Sequence, residues 1–331
     1  MELSFLLVDW FGKPPWMWLG FFAMVTALLA FDLGVLRKDQ REIGVRESLL
    51  MSGVYIGLAL MFGGWVWWQL GAEPGMAYLT GFAVEKALAM DNVFVIATIF
   101  GFFAVPRKFQ HRVLLFGILG VIVLRAAMIG LGATIVTEFS WVMNVFAGFL
   151  ILTGIKMLTM VDQTYDVAAN PVLRLMRRYG NVTDGLHGQR FWVRLPHPTS
   201  GRRALFMTPL FLALVMIEIA DVIFAVDSVP AIFAITTDLF VVYTSNIFAI
   251  LGLRALYFAL AAMVDRFHYL KYALAAVLIF IGSKVLVADM LGLAKIPPVL
   301  SLAVTALLLA GGVVWSLVTT RREVGGPTAP S

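Results

Sequence analysis

The chain contains no cysteine. That removes disulfides, thiolate metal ligands and cysteine nucleophiles, and it leaves the redox compartment undecided. Charge is scarce too: only 14% of residues are Asp, Glu, Lys or Arg, where a soluble domain carries about a quarter. There is no nucleophile elbow, phosphate-cradling glycine loop or zinc-protease helix, so no enzyme is expected. The short alternating strands of an outer-membrane barrel are missing as well. The net charge of +5 is no nucleic-acid signal, because Lys and Arg fall mainly in loops on one side.

What the chain has is apolar length. It is 61% hydrophobic, with mean hydropathy +0.91. Nine runs suit membrane spans: 16–36, 47–69, 76–103, 111–137, 141–160, 206–235, 240–264, 270–289 and 296–318. The expected class is therefore an all-α polytopic membrane protein of about nine transmembrane helices. Residues 1–15 carry Glu2, Asp9 and Pro14-Pro15 and do not read as a cleavable signal. Basic loops alternate with loops that have no Lys or Arg. Arg37, Lys38, Arg41 and Arg46 follow the first span, Arg107, Lys108 and Arg112 the third, and seven arginines lie in 161–205. The positive-inside rule then predicts an N-terminus outside and a cytoplasmic C-terminus.

Leu214 to Pro230, LVMIEIADVIFAVDSVP, places Glu218, Asp221 and Asp227 inside one apolar run. A carboxylate at the bilayer centre costs about 2.5–3.5 kcal/mol on insertion scales, so three in one helix call for a role. Val84 to Val93, VEKALAMDNV, repeats the pattern: Glu85 aligns with Asp221, Asp91 with Asp227, and Asn92 with Ser228. Arg125 in VIVLRAA likewise aligns with Arg254 in ILGLRAL, and Lys156 with Lys284. Two three-span units follow, 78–160 and 206–289, flanked by 1–77 and 290–331 and joined by a cytoplasmic segment, 161–205. An odd number of spans per unit forces opposite orientations, the inverted-repeat design of secondary transporters. Segment 161–205 reads as a gate or a solvated tether; the tether is the expectation, with a hairpin of Gln189–Leu195 against Arg203–Met207.

Ion pairing with Lys86, Arg125 and Arg254 is the plain structural account of these acids. Five acids against three bases still leave negative charge for a cation or proton to balance. Carboxylates six apart on a straight helix are about 9 Å apart along the axis and face different ways. Either the helices unwind at the site, for which Pro230 is a candidate, or both contribute ligands. Antiparallel crossing would set Glu85 level with Asp227 and Asp91 level with Asp221. All four histidines lie in the basic loops, so oxygen donors remain, suited to Mn²⁺, Mg²⁺ or Ca²⁺ rather than Cu⁺ or Zn²⁺. Asn92 and Ser228 could add neutral oxygens. Arg125 and Arg254 would hold the acids when no ion is bound, and Gly148 and Leu152-Gly154 read as helix-packing contacts.

FDLGVL, EKALAMDNVFVI, NPVLRLMRRYG with VTDGLHG, IEIADVIFAVDSVPAI and SNIFAILGLRALYF resemble the TerC family of integral membrane proteins, related to the LysE superfamily. The resemblance runs from Trp16 to about Leu317. It implies a bacterial inner-membrane protein of the manganese-export or tellurium-resistance type. By motif, the metal positions would be Glu85, Asp91, Glu218, Asp221 and Asp227. The expected function is Mn²⁺ efflux by alternating access with proton exchange, with lipid, a divalent cation and protons as partners. Transport of another cation such as Ca²⁺, or a non-transporting partner that delivers metal to secreted proteins, are the alternatives.

Overall fold

The computed structural model describes residues 10–38, 44–139, 141–159, 166–196, 201–260, 270–291 and 297–324. Among them lie eleven helices and one hairpin. The helices are α1 (Pro15–Lys38), α2 (Val45–Leu70), α3 (Ala72–Phe102), α4 (Arg107–Glu138), α5 (Val142–Thr159), α6 (Pro171–Tyr179), α7 (Pro209–Ile235), α8 (Leu239–Leu251), α9 (Leu253–Leu260), α10 (Leu270–Met290) and α11 (Pro298–Val324); the hairpin is β1 (Trp192–Pro196) with β2 (Arg203–Met207). Six of them, α2, α4, α5, α7, α10 and α11, are long and apolar enough to cross a membrane. The chain is an all-α polytopic membrane protein. Its outward faces suit lipid: Leu131, Leu152 and Leu307 are 65, 67 and 73% exposed on α4, α5 and α11, where water would penalise such surface.

Proline and Asx chemistry sets the helix starts. Pro171 and Pro209 occupy first turns, where a missing N–H costs nothing. Asn170 accepts from the Val172 amide at 2.9 Å, and Asp238 caps α8 through the Phe240 and Val241 amides at 3.0 and 3.3 Å. Pro230 lies inside α7 without ending it; a helix buried among neighbours tolerates the carbonyl that proline frees. The expected unwinding at Pro230 is thus not found.

A break occurs elsewhere. The expected span 240–264 divides at Gly252 into α8 and α9, and its residues 261–264 lie outside the described part. Lys86 from α3 fills the space beside the break and donates to the Ala249 carbonyl at 3.0 Å. A Cβ on Gly252 would come within 2.9 Å of that ammonium and 3.1 Å of Tyr55 Cβ. Lys86 therefore satisfies a carbonyl orphaned at the end of α8 rather than an acid.

At the centre, α3 packs on α7, α8 and α2, while α7 also packs on α4 and α5. The pair α5 and α10 interlocks through glycines. A Cβ on Gly154 would meet Ile279 Cγ1 at 2.6 Å and the Ala275 carbonyl at 2.8 Å; one on Gly282 would meet Ile151 Cγ1 at 2.8 Å and the Ala147 carbonyl at 2.5 Å. These are the same positions in the two aligned units, so each helix gives the other the same seat.

The segment before α7 is a docked cap, not a solvated tether. Its hairpin pairs Trp192 with Met207 and Leu195 with Ala204, joining the two segments expected to pair. Val167 and Leu173 join the apolar cluster of Phe100, Phe103, Leu114 and Leu210 at the helix ends. Thr208 Oγ1 donates to the Arg190 carbonyl at 2.8 Å, and the Arg112 guanidinium lies 5.3 Å from the Phe191 ring centre. Four scattered apolar residues, Val167, Leu173, Val193 and Phe206, are buried there. Their irregular spacing hid the docking from sequence reading.

Candidate functional site

Arg125 organises the site. It projects from the middle of α4 and is 1% exposed. Its Nε and Nη2 donate to Asp221 Oδ2 and Oδ1 at 3.2 and 3.1 Å, a side-on fork that a guanidinium makes well. Its Nη1 faces Glu85 Oε1, donates to Ser228 Oγ at 2.9 Å and reaches Asn246 Oδ1 at 3.4 Å. One side chain on α4 thus joins α3, α7 and α8.

Around it, α3 and α7 cross antiparallel. Asn92 Nδ2 reaches Asp221 Oδ1 at 3.4 Å, while seven residues back along α3 Glu85 shares Nη1 with Ser228. The crossing is the expected one, displaced by a single residue. It pairs Asn92 with Asp221 and Glu85 with Ser228, so each acid lies beside the neutral residue of the other motif.

The acids do not form one cluster. Glu85 and Asp221 share Arg125. Glu218 lies one turn from Asp221 on the same face of α7 and rests against Gly120 of α4, where a Cβ would lie 2.6 Å from Oε2. Its buried Oε2 has no hydrogen-bond partner. Asp227 turns away toward α5 and accepts from Thr153 Oγ1 at 3.1 Å, with Lys156 as the nearby positive charge. Among the described residues, no three acids or histidines lie close enough to hold a metal together. The side chains of Asp91 and Arg254, both expected at the site, lie outside what the structure describes.

Charge and donors are unbalanced here. Arg125 offers one positive charge to two carboxylates, and Glu218 adds a third with no base beside it among the described residues. Asn92 Oδ1 and Asn246 Nδ2 are buried without partners, which is costly in an apolar bundle. Oxygen donors around a surplus of negative charge suit a hard divalent cation and not a soft one.

Three participants were not anticipated. Asn246 sits in Thr244-Ser245-Asn246, a polar run wholly buried in α8; that run inside an apolar stretch was the available signal. Thr153 and Gly120 are small and common in membrane helices, and nothing in their spacing marks them. Lys284 donates to Ser301 Oγ at 2.7 Å and so ties α10 to α11.

On the side away from the docked cap, a crevice of about 1180 Å³ opens between the ends of α3, α5, α7 and α10. Ala77 and Phe233 line it, and Lys13 pairs with Asp238 across its mouth at 2.8 Å. Ala77 precedes Glu85 by about two helical turns, roughly 12 Å along α3.

Comparison with known proteins agrees with this architecture. An uncharacterized membrane protein of Rickettsia bellii is 44% identical over 301 residues, covering 91% of this chain and 97% of its own. A Myxococcus xanthus membrane protein is 44% identical over 307 residues, covering 93% of each. A Photorhabdus laumondii protein named "Putative membrane-bound redox modulator Alx" is 44% identical over 284 residues, covering 83% of this chain and 87% of its own. No solved structure matches the chain significantly. The family model for integral membrane protein TerC matches residues 70–324, and with relatives this similar along most of its length the chain belongs to the TerC family.

Proposed function

We propose that this protein exports a divalent cation, Mn²⁺ first among them, across a bacterial inner membrane in exchange for protons. The observation that carries the reading is the buried Arg125 holding Glu85 and Asp221, one acid from each matching motif, beside a third acid whose buried Oε2 has no hydrogen-bond partner among the described residues. A guanidinium in that position is a stand-in cation. When a metal arrives, Glu85, Asp221, Asn92 and Ser228 can turn their oxygens to it as Arg125 withdraws. Asp227, held by Thr153 of α5 in this structure, would have to swing inward to join them, with Asp91 the matching position of the other motif and Arg254 the counterpart of Arg125 in the second unit.

Alternating access by two inverted three-helix units is supported by the exchange symmetry of the contacts. Asn92 to Asp221 becomes Ser228 to Glu85 when the units are swapped, and Gly154 against Ala275 becomes Gly282 against Ala147. A nine-span reading takes helices α1 to α5 and α7 to α11, with α8 and α9 sharing one span; six of these helices are by themselves long and apolar enough to cross a membrane. Together with the loop charges this supports a periplasmic N-terminus and a cytoplasmic C-terminus. The crevice is then the outward mouth, and the docked cap closes the cytoplasmic end.

Export needs a driving ion. Moving two charges against a potential of about 150 mV costs roughly 7 kcal/mol. Two protons entering per Mn²⁺ make the exchange electrically neutral, and Glu218, with neither base nor donor at Oε2, is the carboxylate suited to carry one. A redox role through thiols has no cysteine to use.

The test is flux by purified protein in sealed vesicles, with potassium and valinomycin fixing the voltage. Mn²⁺ should move against an imposed pH gradient and acidify the opposite side. Asp91→Asn, Asp221→Asn and Asp227→Asn should each lower the rate at least tenfold. No flux from well-folded wild-type protein would overturn export; flux indifferent to the pH gradient would overturn proton exchange.

A further inference from the structure

We infer that Gly120 is a positioning residue: its missing side chain forms the seat that holds the Glu218 carboxyl against α4. This rests on the reading of Glu218 as the proton carrier and names what fixes its position. Glu218 is three residues from Asp221 and on the same face of α7, so it could extend toward Arg125. Instead its carboxyl lies over Gly120, with Gly117 close enough that a Cβ there would stand 3.9 Å from Oε1. No hydroxyl, amide or base meets Oε2. What retains the group is shape: α4 presents bare backbone where any other residue would present a methyl group.

The size of the conflict is informative. A Cβ at Gly120 would overlap Oε1 outright and stand 2.5 Å from Cδ and 2.6 Å from Oε2, where ordinary contact begins at 3.4 Å. The atoms that must yield belong to the free end of a flexible side chain, not to backbone, so Gly120→Ala should fold normally and move only the Glu218 carboxyl. Gly154 and Gly282 differ, because there an added Cβ meets a carbonyl that cannot swing away. Shortening the acid by one methylene withdraws it by about 1.5 Å, more than the overlap. Gly120→Ala and Glu218→Asp should therefore compensate for one another, although each alone disturbs the seat.

The experiment follows the Glu218 carboxyl directly, by infrared difference between variant and wild-type full-length protein in lipid nanodiscs, free of metal and at one fixed pH. The carboxyl band lost in Glu218→Gln identifies the group. In Gly120→Ala that band should shift in frequency, because the carboxyl has left its seat. Glu218→Asp alone should also depart from wild type, while the double variant should return close to it, a non-additivity that separate structural defects do not produce. An unshifted band in Gly120→Ala, additive effects in the double variant, or no band sensitive to Glu218→Gln would each overturn the seat. The measurement needs neither metal nor transport, so a wild type without Mn²⁺ flux would defeat the export reading and leave this result standing.

Discussion

A guanidinium keeps its proton at any pH a membrane protein meets, so Arg125 cannot release its acids by titrating; it can only move or be displaced. Removing it should expose the imbalance it covers. Arg125→Met leaves Glu85 and Asp221 buried without a counter-charge, a change that costs about 3–5 kcal/mol when one partner of a buried pair is lost. Thermal unfolding should report that loss, and Mn²⁺ should reverse part of it by taking the vacated place. A metal present at about a hundred times its dissociation constant returns roughly 2.7 kcal/mol. If Mn²⁺ raises the variant's melting temperature no more than that of the wild type, the two acids are not metal ligands. Arg125→Lys keeps charge but not the fork, and it should fall between the two. At this scale the sequence was informative where it broke its own rule: a charge inside an apolar run is conspicuous, and Glu85, Asp221 and Arg125 all are. Asn246, Thr153 and Gly120 break no rule, and only their neighbours reveal them.

Among the elements, the helices were legible because apolar length is a direct consequence of bilayer thickness. What interrupts a helix was not. Pro230 looked like a break and is none, while Gly252, which nothing in the sequence singled out, ends α8. The difference lies in partners: α7 is enclosed on several sides, and the α8 terminus has the Lys86 ammonium to take a carbonyl. The glycines of α5 and α10 lead to a prediction at this scale. Gly154→Val and Gly282→Val each drive a side chain into opposing backbone, with an overpacking cost of about 1–3 kcal/mol. Both should lower the melting temperature and the monodisperse fraction on gel filtration. Gly148, expected at a packing contact, has nothing within 4 Å of its Cβ position and should accept the same change; equal losses at all three would show that the α5–α10 contact is not what the glycines serve.

For the whole molecule, orientation is the property on which an export cycle depends. The absence of native cysteine makes it directly measurable. Cysteines introduced at Thr237, exposed before α8, and at His187, exposed in the cap, should react from the periplasm and the cytoplasm respectively with a reagent that cannot cross the membrane. Reaction of both from one side would overturn the proposed crossing pattern. The resemblance of the acidic motifs made the family readable in advance, but the docking of 166–196 and 201–207 was not, because its four buried apolar residues follow no period. The paired seats of Gly154 and Gly282 have a last consequence. A contact in which one position meets a second, and the counterpart of the second meets the counterpart of the first, is the isologous contact of a two-fold dimer. Here it lies within one polypeptide. A half-length protein inserted in both directions would meet itself across the same two glycines, and joining two such copies end to end would leave that surface unchanged.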